Sequence, residues 1–198
     1  MSLSIIIAII AGILAGITFI PVSFAPHMDT ITTVALNILI FFVGIDIGMN
    51  KHIFKDLKNH GYIILVVPLA IIAGSLLGGL MAGSFFGYNY NLGLSVGAGF
   101  GWYSLSGILL TKLHSAELGA VSFLTNVFRE LIAVVSIPFL AKYLNDYSAI
   151  APAGATSMDT TLPLISRYTK PEIVIVSFIN GAILSALVPV LVPFLYAL

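Results

Sequence analysis

Apolar residues run along this chain in long uninterrupted blocks, and the short polar breaks between them mark out the predicted elements. The first block, Leu3 to Ile20, is long enough at 1.5 Å per residue to cross a hydrocarbon core of about 30 Å. Within it Gly12 and Gly16 form a GxxxG pair, which lets a neighbouring helix approach closely, and Pro21 and Pro26 end it. A second span, about Ile31 to Met49, carries Asn37 in its middle and ends in Gly44-Ile45-Asp46-Ile47-Gly48. A third, Tyr62 to about Phe85, contains Pro68, Gly74, Gly78 and Gly79 and reads as a kinked, closely packed helix. The fourth, roughly Leu92 to Leu110, has glycines at 97, 99, 101 and 107. Each weakens a helix by about 1 kcal/mol relative to alanine, so an interruption is expected there. The fifth segment runs from Glu117 to about Leu140, and the last from Glu172 to about Tyr196.

Between those two lies Gly154-Ala155-Thr156-Ser157-Met158-Asp159-Thr160-Thr161-Leu162-Pro163, which places a carboxylate and four hydroxyls among apolar neighbours. Irregular backbone at membrane depth is tolerated only where protein or a water-filled cavity satisfies it. An ionisable group at that depth costs about 3 kcal/mol or more and so marks a functional site. Asp159 is the first candidate.

The fifth segment supplies the second. Arg129 and Glu130 fall near its midpoint, and Ser122, Asn126 and Glu130 recur at four-residue intervals on one polar face. Arg129 and Glu130 are neighbours that project about 100° apart, so each needs its own partner on another element. A static ion pair locking helices together is the alternative reading for them. Asp46 lies within about a turn of the following lysines, where an interfacial position and an ion-pathway role are both open. Trp102, Tyr103 and Ser104 sit in the interrupted fourth segment, where freed carbonyls would face a cavity or small residues would simply pack. Asn180 in the last span is open to packing or to lining the site.

Composition agrees with this picture and narrows it. The chain is 59% hydrophobic and only 8% charged, with a mean hydropathy of +1.11, whereas soluble chains carry about 25% charged residues. The expectation is an all-α polytopic membrane protein of about seven membrane segments, two of them broken or re-entrant, forming one transporter domain over residues 1–198. A zero formal net charge gives no field for nucleic acid. The absence of cysteine removes thiolate chemistry and thiolate metal sites, and no metal or cofactor is expected. Asp46 with Asp159 is a formal pair for an intramembrane aspartyl protease, but Asp46 lies near an interface, so no enzymatic activity is expected. The positive-inside rule places Lys51, Lys55, Lys58, Lys112, Arg167 and Lys170 on the cytoplasmic side and Lys142 outside, with an inside N-terminus and an outside C-terminus.

Together, Gly99-Phe100-Gly101-Trp102-Tyr103-Ser104-Leu105-Ser106-Gly107, Arg129-Glu130-Leu131-Ile132 and Gly154-Ala155-Thr156-Ser157-Met158-Asp159 resemble the LysO family of L-lysine exporters. The likeness extends from Phe42-Val43-Gly44-Ile45 to Leu187-Val188-Pro189. It implies efflux of L-lysine and lysine analogues across the plasma membrane of a prokaryote, and an acidic pair, Glu130 and Asp159, needed for transport. It also implies the cation/proton antiporter and bile-acid transporter superfamily, with inverted repeats and crossed broken helices. Full-length members carry about three further N-terminal spans, so a small separate membrane subunit or a homodimer is an expected partner, along with the lipid bilayer.

On this reading the ammonium groups of lysine meet Glu130 and Asp159, while its carboxylate meets Arg129 or backbone N–H groups at a half-helix N-terminus. Asn126, Thr156, Ser157, Thr160 and the Trp102-Tyr103 region form a neutral lining. Taking a carboxylate out of water disfavours its charged form, so one acid exchanges a proton for substrate, giving proton antiport. A sodium/proton exchanger and a non-transporting membrane scaffold subunit are the alternatives.

Overall fold

The computed structural model describes residues 61–198 continuously, together with scattered helical positions between residues 7 and 49. The chain divides into two units, Met1–Asn50 and Lys51–Leu198. In the first, Thr18 Oγ1 donates to the carbonyl of Leu14 at 2.6 Å, the i−4 bond of a helix. The expected spans Leu3–Ile20 and Ile31–Met49 are seen only at those scattered positions. Gly12, Asn37, Asp46, Lys51, Lys55 and Lys58 lie outside the described residues.

In the second unit every described element is helical: α1 Ile63–Phe85, α2 Tyr90–Gly97, α3 Tyr103–Leu113, α4 Ala116–Tyr143, a 3-10 turn Gly154–Met158, α5 Leu162–Tyr168 and α6 Pro171–Tyr196. Three of them, α1, α4 and α6, are long and apolar enough to cross a membrane. At 1.5 Å per residue α4 is about 42 Å long. The expected spans and the helices agree to within a few residues, because long apolar runs with polar breaks leave little choice of boundary. Ser115 caps α4 by accepting from the Leu118 N–H at 3.2 Å, with Glu117 in the first turn and Lys142 in the last, as the helix dipole favours. α6 is the central helix, with 56% of its most apolar window buried, against 17% for α1. The exposed side of α1 carries Leu65, Leu69, Leu77, Met81 and Phe85, an apolar surface suited to lipid.

Both interrupted segments turn back on themselves. At one end of the bundle, the far end, Tyr90 Oη donates to the carbonyl of Leu198 at 3.0 Å and Asn91 Nδ2 to that of Tyr196 at 3.0 Å. The rings of His114 and Tyr196 meet edge to face there at 5.9 Å. The start of α2 and the end of α3 therefore both lie beside the C-terminus. Set in line, two helices of 8 and 11 residues would separate them by roughly 28 Å or more. At the opposite, near end the Lys170 N–H reaches Asp146 Oδ2 at 3.4 Å, so residues 146–170 also return to where they began. We term α2–α3 hairpin 1 and residues 146–168 hairpin 2. They enter from opposite ends, and they re-enter instead of crossing in line as broken spans.

This geometry corrects the expected grouping of the basic residues, since Lys142 and not Lys112 shares an end with Arg167 and Lys170. Lys142 closes α4 at the near end, with Arg167 and Lys170, and Lys112 closes α3 at the far end. The charge rule alone could not see this, because it presumed that an interrupted segment still crosses.

Glycine sets the packing distances. α2 lies against α1 through Gly93 and Gly97 on one side and Gly79 and Gly83 on the other. A methyl at Gly79 would collide with the carbonyl of Gly93 and stand 3.0 Å from Gly97 Cα. The tips of the hairpins meet backbone to backbone: the Ala155 N–H donates to the Phe100 carbonyl at 2.7 Å. That contact needs the positive φ of Phe100, Gly101 and Gly154, at 47°, 105° and 61°, values that favour glycine at two of the three positions.

Candidate functional site

Breaking a helix inside a membrane frees backbone groups that must find partners, and two asparagines provide them. Asn126 of α4 is buried; its Oδ1 accepts from the Gly101 N–H at 2.7 Å. Its Nδ2 donates to Ser106 Oγ at 3.3 Å and to the carbonyl of Ser122 at 2.9 Å. Asn180 of α6 donates through Nδ2 to the Gly154 carbonyl at 3.1 Å and to Ser157 Oγ at 3.0 Å. Ser157 and Ser177 then exchange hydroxyl-to-carbonyl bonds in both directions, each 2.8 Å. Thr156 Oγ1 donates to the carbonyl of Ala153 at 2.9 Å, and Thr161 Oγ1 donates to that of Thr156 at 2.9 Å. Asn126, Asn180, Thr156 and Ser157 thus have polar atoms engaged in holding the hairpins in shape.

The acids meet across the tip of hairpin 2. Glu130, on α4 and 7% exposed, lies within electrostatic reach of Asp159, the exposed residue that ends the 3-10 turn. The side chain of Thr160 stands next to both carboxylates, yet its buried Oγ1 closes no well-formed hydrogen bond. The Thr160 N–H donates to Asp159 Oδ1 at 2.5 Å. Tyr103, in the first turn of α3, is within reach of both acids and is held edge-on by Phe123 of α4 at 5.5 Å. Trp102 and Ser104 flank it, both half-buried, and the Trp102 carbonyl accepts from Ser106 Oγ at 2.8 Å. Two carboxylates thus flank the Thr160 side chain, with the Tyr103 phenol within electrostatic reach. Such a cluster attracts a cation and offers it hydrogen-bond acceptors.

Arg129 faces elsewhere, as the 100° step from Glu130 requires. Its Nε donates to the Pro152 carbonyl at 3.0 Å, Nη2 to that of Ala151 at 3.1 Å and Nη1 to Ser75 Oγ at 2.7 Å. Its partners are neutral oxygens of hairpin 2 and α1. The sequence reading did not single out Ser75 or Ser177; the signal for Ser75 was its being the lone hydroxyl between Pro68 and Gly79.

The profile of the family described as Lysine exporter LysO matches residues 6–196. The chain belongs to the LysO family. It is 38% identical over 177 residues to Lysine exporter LysO of Escherichia coli (strain K12), covering 88% of this chain and 58% of that protein. It is 32% identical over 158 residues to a putative lysine exporter of Haemophilus influenzae (strain ATCC 51907 / DSM 11121 / KW20 / Rd), covering 79% of each. The chain therefore spans little more than half the length of its LysO relative from Escherichia coli. No solved structure matches it.

Proposed function

We propose that this chain forms the membrane core of a secondary active exporter of L-lysine, working by proton antiport across the plasma membrane of a prokaryote. The single observation that carries the reading is the convergence of Glu130 and Asp159 around the Thr160 hydroxyl. Two carboxylates suit a substrate with two ammonium groups, and the names of the LysO relatives supply lysine as the amino acid. Tyr103 and Thr160 add neutral hydrogen-bonding partners that orient the substrate without adding charge. An acid that holds the ammonium group in one half of the cycle and a proton in the other exchanges one cation for another at each turnover.

Two hairpins entering from opposite ends give alternating access a structural basis, since each can open its own side while the other keeps the acids covered. With the three lysines at 51, 55 and 58 preceding α1, the positive-inside rule makes the near end cytoplasmic and the far end, with the C-terminus, external. The test is lysine counterflow in proteoliposomes containing the unaltered chain, Glu130→Gln or Asp159→Asn. Loss of counterflow in both variants, with the protein still monodisperse, is the expected result. Full counterflow in both overturns the assignment.

A further inference from the structure

The hydrogen bond between Ser75 and Arg129 takes no part in the acid cluster, but it stands where two cavities meet. One, of about 310 Å³, lies among α1, α2 and α4 and extends to Phe86, Tyr88 and Leu118 at the far end. The other, of about 720 Å³, lies between α1 and the incoming leg of hairpin 2 and extends to Ile63, Asn145 and Tyr147 at the near end. Ser75 and Arg129 are the residues that line both.

The guanidinium ties three elements together at that point. It leaves α4, grips the carbonyls of Ala151 and Pro152 just ahead of the hairpin tip, and donates to Ser75 on α1. A Cβ on Gly154 would stand 2.9 Å from Nη2, so glycine at the tip is what lets the guanidinium lie against it. All three acceptors are neutral, so letting one go separates no ion pair. The planar fork also holds its acceptors in fixed directions, which an ammonium group cannot reproduce. Of the three bonds, the one to Ser75 is the only one that reaches α1.

We propose that Ser75 and Arg129 form a latch that closes the seam between the two cavities, and that Arg129 is a positioning residue for hairpin 2 and not a ligand of the substrate carboxylate in this conformation. The proposal rests on the transport reading in one respect only: release of the latch joins the cavities into a path between the two ends. One cavity reaches toward the far end of the bundle and the other toward the near end.

The chain contains no cysteine, so introduced thiols report without background. Ala70→Cys places one in the near cavity and Val121→Cys one in the far cavity. Each is made in the full chain in oriented vesicles and treated with a small methanethiosulfonate from one side at a time. With Ser75 present, each thiol reacts from its own end. Ser75→Ala raises the rate from the opposite end by roughly tenfold or more, by populating the open seam, whereas Ser75→Thr, which keeps the hydroxyl, does not. Arg129→Lys cannot hold all three acceptors and gives the same two-sided reactivity as Ser75→Ala, which covers the case of a Ser75→Ala chain that does not reach the membrane. One-sided labelling that persists in both Ser75→Ala and Arg129→Lys overturns the latch. Lysine counterflow in the same vesicles separates the two claims: two-sided labelling in a chain whose unaltered form moves no lysine supports the latch and overturns the export reading.

Discussion

Asn126 and Asn180 occupy equivalent places in two hairpin–helix pairs of the second unit that run through the bundle in opposite directions. Each lies in the spanning helix that follows a hairpin, and each hydrogen-bonds the backbone of that hairpin's positive-φ glycine. Asn126 accepts from Gly101, 25 residues earlier, and Asn180 donates to Gly154, 26 residues earlier. Hairpin 1 with α4 and hairpin 2 with α6 thus share one kind of brace in opposite orientations, and their tips meet at the Phe100–Ala155 bond. The two braces use opposite ends of the amide, one satisfying a freed N–H and the other a freed carbonyl.

That difference predicts unequal consequences. Asn126→Ala leaves the Gly101 N–H buried without an acceptor, at a cost of about 1–3 kcal/mol. Asn180→Ala frees the Gly154 carbonyl, but it also removes Asn180 Oδ1, itself buried and unpartnered, which offsets part of the loss. Thermal denaturation in detergent should show the larger drop for Asn126→Ala; the reverse order would mean that the two asparagines are not equivalent braces.

Glycine substitutions should divide by what surrounds each Cα. Gly74 and Gly78 have open space around them, so alanine there is neutral or stabilises α1 by up to about 1 kcal/mol. Gly79→Ala drives a methyl into the Gly93 carbonyl, and Gly154→Ala does the same to the Phe100 carbonyl at a φ of 61°. Overpacking of this kind costs about 1–3 kcal/mol. Size-exclusion profiles after heating should keep the first pair monodisperse and lose the second; loss at Gly74 and Gly78 alone would contradict the packing described.

Much of this was legible in the sequence, and the remainder was hidden for identifiable reasons. The spans at 63–85, 116–143 and 171–196 follow from apolar runs and polar breaks. Four glycines announced the interruption near residue 100, and the polar stretch at 154–163 announced the other. Glycines say that a helix stops, not which way the chain leaves, so the turning back of both hairpins and the side of Lys112 were not readable. The divergence of Arg129 from Glu130 followed from helical geometry. The partners of Arg129 did not, because carbonyls become available only once a neighbouring helix is broken, and every residue carries one.

Thr160 offers a sharper test of the acid site than either acid. Its side chain lies beside Glu130 and Asp159 and closes no well-formed bond, so Thr160→Val takes a hydroxyl out of the acid site at nearly constant volume. A hydroxyl with no well-formed bond adds little to folding, so its loss should change stability by about 1 kcal/mol or less. If that hydroxyl contacts the transported cation, the apparent affinity for lysine should fall roughly 2- to 13-fold, the worth of one hydrogen bond of about 0.5–1.5 kcal/mol. Counterflow at several lysine concentrations, with a parallel melting curve, checks both halves. Unchanged affinity would remove Thr160 from the site, and a large loss of stability would make it part of the scaffold.

The re-entrant topology can be tested without reference to transport. Lys112 closes α3 beside Tyr196 and the C-terminus, whereas Lys142 and Lys170 lie at the opposite end with Asp146. Single Lys112→Cys, Lys142→Cys and Lys170→Cys substitutions in this cysteine-free chain are to be treated with a membrane-impermeant maleimide in sealed, right-side-out spheroplasts. Lys112→Cys should label together with a tag on the C-terminus, and the other two only after permeabilisation. If both interrupted segments crossed the membrane, Lys112 and Lys170 would label from one side and Lys142 from the other. The pattern separates the two topologies even in variants with no transport, because it depends only on which residues share an end of the bundle. Labelling of Lys112 and Lys170 from the same side would overturn the re-entrant arrangement of both hairpins.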